Sequence, residues 1–227
     1  MRYIRVYMFI IIVLLFAACG GGSSTTVTPQ QGDDEMQLMR VACVGDSITK
    51  GYGLEEPSVQ SYPSQLASML GDGWSVKNYG LTNSTLLQKG DDPYIHSSTF
   101  AESQTFAPQI VVILLGTNDS KPLNWQHKED FVADYTALIR SYQALGSSPQ
   151  IWIAYPPPAF PGIAGISDST IREEIIPLIN IVAQNTSVGV IDLYTPLSSR
   201  EDLFPDTVHP NTEGARIIAE TVYSAIY

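Results

Sequence analysis

Short apolar runs alternate along the chain with longer segments in which apolar residues recur at helical spacing. The apolar runs are found at 41–44, 74–79, 109–115, 150–155 and 188–193. Runs of this length are typical of strands buried in a parallel sheet. Helical spacing is found at 61–70, 127–145, 169–183 and 212–225. Pro177 is expected to kink the third of these helices, since proline has no N–H to donate.

Strands that alternate with helices in this way predict an α/β fold with three layers, α/β/α, in which helices cover both faces of one sheet. We expect a five-stranded parallel sheet with right-handed crossovers. The strand order is expected to be flavodoxin-like, 2-1-3-4-5, which places strand 1 between strands 2 and 3.

Glycines and polar residues follow the first three strands directly. They are residues 45–47 (Gly-Asp-Ser) after strand 1, Gly80 after strand 2, and residues 116–119 (Gly-Thr-Asn-Asp) after strand 3. Ligands bind beyond the carboxyl ends of the strands in open α/β sheets. Because the three strands are neighbours in the predicted order, these clusters are expected to converge at one edge of the sheet.

These residue types are the ones that ester hydrolysis requires. The reaction needs a hydroxyl nucleophile, a base that takes its proton, a group that orients the base, and donors for the developing oxyanion. Ser47 is the candidate nucleophile and His209 the candidate base, while Asp206, three residues earlier, can reach the second ring nitrogen. The Asn118 amide and the backbone N–H groups of Ser47 and Gly80 are the candidate oxyanion donors.

At this point the sequence resembles a known family, the SGNH or GDSL hydrolases, whose four blocks are named for Ser, Gly, Asn and His. The blocks are matched in order by Ser47, Gly80, Asn118 and His209. The resemblance spans about 38–227 and implies an esterase that works through a Ser/His/Asp triad without a metal or cofactor. No G-x-S-x-G motif is present, which argues against the unrelated α/β-hydrolase fold.

A narrower set of segments is similar to bacterial carbohydrate O-acetylesterases of this family, among them sialate O-acetylesterases and acetylxylan esterases. The segments are 78–80, 90–94 and 116–125. This resemblance implies a small-molecule or polysaccharide substrate that carries an acetyl ester on a sugar. Candidate substrate contacts are Asp46, Tyr94 and Trp125, although Asp46 is also a good helix cap and a Tyr or Trp is more often part of a core.

Three other functions remain open. A lysophospholipase- or thioesterase-type acyl hydrolase of the same family would use the same residues on a longer acyl chain. A non-catalytic, glycan-binding surface lipoprotein would not need a serine, an aspartate and a histidine together. The third is a metal-dependent phosphoesterase, whose candidate ligands would be Asp46, Asn118, Asp119 and His209. The spacing of these residues matches no recognised metal-binding motif, and such an enzyme would not use Ser47.

The N-terminal segment has the layout of a secretory signal. Two arginines precede an apolar run at 6–18 that is too short to span a membrane. Residues 15–20 (Leu-Phe-Ala-Ala-Cys-Gly) resemble a bacterial lipoprotein processing site, which predicts a signal at 1–19 with a lipidated Cys19, and a plain signal peptide cut after Ala18 is the alternative. Residues 20–37 are then a flexible linker and 38–227 the hydrolase domain. We expect an exported protein, anchored in the cell envelope by this lipid alone.

The net charge argues against nucleic-acid binding, and the cysteine content argues against a disulfide or a catalytic cysteine. The formal net charge is −11, so no basic surface is available to follow a phosphate backbone, and nucleic acid is not expected as a partner. If Cys19 is lipidated, Cys43 has no disulfide partner. Its place inside an apolar run predicts a small buried side chain without a catalytic role.

Overall fold

The computed structural model describes residues 38–162 and 165–227. The strands in this part of the chain are β1 (Met39–Gly45), β2 (Trp74–Gly80), β3 (Ile110–Leu114), β4 (Gln150–Ala154) and β5 (Gly189–Ile191). All five pair in parallel, in the order β2-β1-β3-β4-β5. This confirms the predicted sheet and its strand order. The signal, the lipidated Cys19 and the linker predicted at 1–37 lie outside the described residues.

Helices accompany the strands throughout. In the described residues they are α1 (Ser47–Lys50), α2 (Pro57–Gln60), α3 (Tyr62–Leu70), α4 (Ser98–Thr105), α5 (Pro122–Trp125), α6 (Phe131–Gln143), α7 (Asp168–Thr170), α8 (Ile176–Thr186) and α9 (Thr212–Ile226). None of these helices is long and apolar enough to cross a membrane. The pattern did not predict α1, α2 or α5, because a single helical turn is too short to show apolar periodicity.

The central strands contribute alternate side chains to two separate cores. In β1, Ala42 and Val44 belong to the core built with α6 and α8, whereas Val41 and Cys43 belong to the core built with α3 and α9. Successive side chains of a strand point to opposite faces, so the sheet lies between two helix layers. This confirms the three-layer arrangement. Cys43 is fully buried and free, as expected for a small apolar residue.

The helical segment around Pro177 changes its winding. A π-helical stretch, Ile171–Ile175, connects α7 to α8, and Pro177 lies in the first turn of α8. Proline lacks an N–H, and its ring conflicts with the carbonyl group four residues earlier, which favours a wider turn there. The disturbance predicted at Pro177 is therefore a widened turn that precedes it.

The three neighbouring strands β2, β1 and β3 end level with one another. Gly45 at the end of β1 pairs with Gly80 on β2 and with Leu114 on β3. The segments that follow these strands consequently emerge at the same edge of the sheet. This register brings together the polar clusters that the sequence places after each strand.

The helix α1 that follows β1 is capped by a buried carboxylate. Asp46 Oδ1 accepts a hydrogen bond of 2.9 Å from the Ile48 N–H, and Asp46 is fully buried. Burial raises the pKa of Asp46 to about 7, and the hydrogen bond from Ile48 offsets this only in part. Asp46 Oδ2 has no hydrogen-bond partner among the described residues, which leaves the charged form poorly solvated.

We expect the Asp46→Asn variant to change how stability depends on pH. Since the folded-state pKa of about 7 lies above the ordinary value of 3.8, the folded chain holds this proton more tightly than the unfolded chain. The stabilisation is complete below about pH 4 and is lost as the pH rises through about 7, at a cost of up to roughly 4 kcal/mol. Asparagine also caps helices but does not titrate.

Urea denaturation of the wild type and the variant across this pH range measures the effect. The wild type should lose stability relative to Asp46→Asn as the pH rises. Two curves that run parallel would show that burial does not perturb the Asp46 carboxyl.

Candidate active site

Ser47 lies at the first position of α1, immediately beyond the end of β1. Its side chain is nearly buried. Its carbonyl oxygen accepts hydrogen bonds of 3.0 Å from the N–H groups of Gly51 and Tyr52, and Gly51 adopts the left-handed conformation that ends α1. The turn at 45–52 therefore holds the serine in one orientation at the carboxyl edge of the sheet.

His209 meets Ser47 although 162 positions separate them in the chain. The distance from Ser47 Oγ to His209 Nε2 is 2.8 Å, and that from His209 Nδ1 to Asp206 Oδ2 is 2.7 Å. A carboxylate only accepts hydrogen bonds, so Nδ1 is the donor and Nε2 remains free to accept the serine proton. The structure thus brings together the three residues predicted to form the triad.

Asp206 is held in its charged form by the turn that carries it. Its Oδ1 accepts hydrogen bonds of 3.1 and 2.7 Å from the N–H groups of Val208 and His209. Partial burial raises the pKa of Asp206, but the bonds from the His209 N–H, its imidazole and the Val208 N–H outweigh this, and the pKa lies below its ordinary value. A charged carboxylate in this position orients the imidazole and stabilises its protonated form.

Asn118 reaches the same place from the end of β3. It begins a 3₁₀ turn, Asn118–Ser120, and its Nδ2 donates one hydrogen bond of 3.1 Å to the Ser84 carbonyl. The side-chain amide of Asn124 donates to the Asn118 carbonyl at 2.9 Å. An amide nitrogen has two hydrogens, so the second hydrogen of Asn118 Nδ2 is available to a substrate.

Gly80 does not have the predicted role. Its N–H donates to Asn78 Oδ1 at 2.9 Å, so this hydrogen is not available to an oxyanion. A Cβ at position 80 would lie 2.2 Å from the backbone nitrogen of Lys50. Glycine is required here because the end of β2 packs directly against α1. The prediction that Gly80 is an oxyanion donor is therefore wrong.

Asn83, which the sequence analysis missed, lies at this place in the site. It lines the pocket beside Ser47 and Asn118, and its φ of 67° is in the left-handed region. The hydrogen bonds among the described residues do not use its N–H. Asparagine is enriched among non-glycine residues with positive φ, so its position in a polar segment after β2 was the available signal.

The three predicted substrate contacts lie elsewhere. Asp46 is the buried cap of α1, and Tyr94 is buried with its hydroxyl donating to the Tyr79 carbonyl at 2.7 Å. Trp125 is 8% exposed, and its Nε1 donates to Glu174 at 3.0 Å. None of the three lines the pocket around Ser47. These predictions are wrong, because all three side chains are buried inside the fold and away from the pocket.

The pocket around Ser47 is small, and its lining is part polar and part apolar. Its volume is about 410 Å³. Besides the triad and Asn118, its lining includes residues that were not predicted from the sequence as part of the site, namely Tyr52, Thr82, Asn83, Lys121, Ile166 and Val208. The pocket is large enough for a small ester and offers several groups that can form hydrogen bonds to it.

The carboxylates required by the metal-site alternative serve other purposes. Asp119 is buried and accepts hydrogen bonds of 3.0 and 2.8 Å from the N–H groups of Leu86 and Leu87, while Asp46 caps α1. In the described part of the chain, no group of three or more His, Cys, Asp or Glu side chains is arranged to hold a metal ion. Asp119 thus holds the segment that follows β2 against the end of β3.

Two solved structures share this fold. An aryl esterase from M. smegmatis is 18% identical, with a TM-score of 0.64 and coverage of 83% of this chain and 98% of that one. A carbohydrate acetylesterase from Sinorhizobium meliloti is 19% identical, with a TM-score of 0.64 and coverage of 82% and 97%. At these identities, the likeness establishes the fold alone.

Sequence comparison assigns the family. An acetylxylan esterase from Xylanibacter ruminicola is 38% identical in an alignment of 206 positions, which covers 83% of this chain but only 43% of that protein. The GDSL-like lipase/acylhydrolase family matches residues 43–217, which include Ser47, Asn118, Asp206 and His209. The chain belongs to the GDSL-like lipase/acylhydrolase family.

Proposed function

We propose that this protein is a serine esterase that removes O-acetyl groups from carbohydrates. The observation that carries the proposal is the continuous chain of contacts from Ser47 Oγ through the His209 imidazole to the Asp206 carboxylate, at 2.8 and 2.7 Å. A non-catalytic glycan-binding protein would have no need for this chain. The distances suit proton transfer from a hydroxyl to an imidazole without rearrangement.

In the proposed reaction, Ser47 Oγ attacks the acetyl carbon while its proton passes to His209 Nε2. The bond between the acetyl carbon and the sugar oxygen then breaks, and His209 returns the proton to that oxygen. A water molecule deprotonated by His209 attacks the acetyl–Ser47 ester, which releases acetate and restores the hydroxyl. Asp206 stays charged throughout and stabilises the imidazolium that forms twice in the cycle.

Three N–H groups are proposed to stabilise the oxyanion. Ser47 is in the first turn of α1, where a backbone N–H has no acceptor within the helix. The Asn83 N–H and the second hydrogen of Asn118 Nδ2 border the same pocket. Donors fixed by the backbone need no reorganisation when negative charge develops, which makes this kind of stabilisation effective.

The pocket supports a short acyl group on a polar alcohol. Its volume of about 410 Å³ and the hydroxyl, amide and charged groups in its lining suit a short acyl group better than the long acyl chain of a lysophospholipase substrate. The 38% identity to an acetylxylan esterase supports acetylated sugars as the substrate class.

We expect Ser47→Ala to lose turnover of p-nitrophenyl acetate by on the order of 10⁶-fold in kcat, because the variant lacks the hydroxyl that contacts His209 Nε2. His209→Ala should lose a similar amount. The matched control is Ser68→Ala on α3, an exposed serine that bonds only to the Ser64 carbonyl. Circular dichroism and thermal unfolding verify that each variant folds.

Near wild-type turnover by His209→Ala would refute the assigned base. The same assay with p-nitrophenyl butyrate and octanoate tests the acyl preference. Rates should fall as the acyl chain lengthens, and an octanoate preference would favour the long-chain acyl hydrolase instead.

We expect Asn118→Ala to lower kcat by about 10² to 10³-fold, which corresponds to about 2.7–4 kcal/mol of transition-state stabilisation. KM should change little, because the lost hydrogen bond forms mainly in the transition state. Steady-state kinetics with p-nitrophenyl acetate measure both constants. A rise in KM at unchanged kcat would mean that Asn118 binds the ground state and is not an oxyanion donor.

We also propose that the protein is exported and held in the cell envelope by a lipid on Cys19, since residues 15–20 resemble a lipoprotein processing site. Cys19→Ser should move the protein from the membrane fraction to the soluble fraction and from the detergent phase to the aqueous phase. Continued membrane association of Cys19→Ser would favour an unlipidated anchor, and release of the wild type into the soluble fraction would favour the plain signal peptide.

A further inference from the structure

A second pocket adjoins the pocket around Ser47, and three residues that line both pockets form a wall between them. It has a volume of about 300 Å³, and it shares Tyr52, Asp206 and His209 with the pocket around Ser47. Its remaining lining comes from the turn after α1, from Gln60 on α2, and from Pro205 and residues 210–212 at the start of α9. A volume of this size is at the lower end of the range for small-molecule sites.

The chemistry of the proposed reaction decides which half of the ester faces this second pocket. His209 Nε2 must return its proton to the departing sugar oxygen, so that oxygen lies within hydrogen-bond reach of the imidazole. The acyl carbonyl faces the opposite way, toward Asn83 and Asn118. The sugar is therefore on the His209 side of the ester, next to the residues that line both pockets.

Tyr52 is the most exposed of the three residues that line both pockets. Its ring centroid lies 4.6 Å from that of His209, at an interplanar angle of 48°, and the residue is 53% exposed. Its N–H is bonded to the Ser47 carbonyl, which ties the ring to the nucleophile's turn. A pyranose has apolar C–H faces and a polar edge, so a rigid, half-exposed aromatic ring is suited to stack against it.

Unused hydrogen-bonding groups border the second pocket. Gln60 Oε1 accepts a hydrogen bond of 2.8 Å from the Glu56 N–H, and Gln60 Nε2 has no acceptor among the described residues. The Glu55 carboxylate likewise has no partner in the described part of the chain. An amide donor and a carboxylate acceptor that line the same pocket can both bind sugar hydroxyls, each of which donates and accepts hydrogen bonds.

We propose that the second pocket is a glycosyl subsite, which binds a sugar unit linked to the acetylated one. Tyr52 stacks against the sugar, and Glu55 and Gln60 bind its hydroxyl groups. The preferred substrate is then an acetylated oligosaccharide or polysaccharide, and not an acetylated monosaccharide. This inference rests on the proposed esterase function, because the direction of the sugar follows from the role of His209.

The test compares kcat/KM for acetylated xylo-oligosaccharides of increasing length with kcat/KM for p-nitrophenyl acetate, which has no sugar. In the wild type, kcat/KM should rise by about tenfold from the acetylated monosaccharide to the acetylated disaccharide. Tyr52→Ala and the double variant Glu55→Ala/Gln60→Ala should each lower the ratio of oligosaccharide to p-nitrophenyl acetate activity by about tenfold.

Two controls isolate the contribution of the subsite. Tyr52→Phe keeps the ring and should retain the wild-type ratio. Tyr227→Ala removes another exposed aromatic ring, at the C-terminal end of α9, and should also leave the ratio unchanged. Equal kcat/KM for mono- and oligosaccharides, or a wild-type ratio in both Tyr52→Ala and Glu55→Ala/Gln60→Ala, would overturn the subsite. Such a result leaves the esterase intact, whereas a wild type that hydrolyses no ester would overturn the proposed function itself.

Discussion

The contact between Ser47 and His209 depends on the packing of the last helix against the rest of the fold. The turn that carries His209 precedes α9, and the Asn211 N–H donates to the Leu203 carbonyl at 2.7 Å. Asn211 also caps α9 through a bond from the Gly214 N–H, and α9 packs beside α3 on one face of the sheet. The 2.8 Å hydrogen bond between Ser47 and His209 therefore forms only when α9 is packed in place.

Two buried carboxyl groups, Asp46 and Asp119, hold the segments that carry the site, and burying them is energetically unfavourable. Asp46 and Asp119 are fully buried, and burial raises the pKa of both carboxyls, to about 7 and about 6. Asp46 accepts a hydrogen bond from the Ile48 N–H, and Asp119 accepts two from the N–H groups of Leu86 and Leu87. Among the residues that the structure describes, these N–H groups have no partner in a sheet ladder or a long helix. The segments that follow β1 and β2 are held in place by side chains because ladder hydrogen bonds end where the sheet ends.

Tyr52 links the proposed chemistry to the proposed recognition of the sugar. Its backbone belongs to the same turn as Ser47, and its ring lies against the imidazole of His209. One side chain therefore borders both pockets, the one that would hold the acetyl group and the one that would hold a neighbouring sugar. A substrate that fills both pockets would have its ester bond placed at His209 by binding energy gained away from the reacting atoms.

The sequence by itself predicted the sheet, its strand order, and the meeting of Ser47, Asp206 and His209 at one place in the fold. Apolar runs report burial directly, and a polar cluster after a parallel strand has only one edge of the sheet at which to emerge. Asp206 and His209 are also neighbours on one turn, so their mutual contact is local. These features depend on residue type and short-range spacing, which a sequence displays.

Only the tertiary structure decided where individual N–H groups and aromatic side chains point. The N–H of Gly80 donates to Asn78, and the pocket around Ser47 is lined by Asn83 and not by Gly80. Tyr94 is buried, whereas Tyr52 is exposed beside His209. Residue type alone does not separate these cases, because the direction of a donor and the burial of a ring depend on contacts between segments distant in the chain.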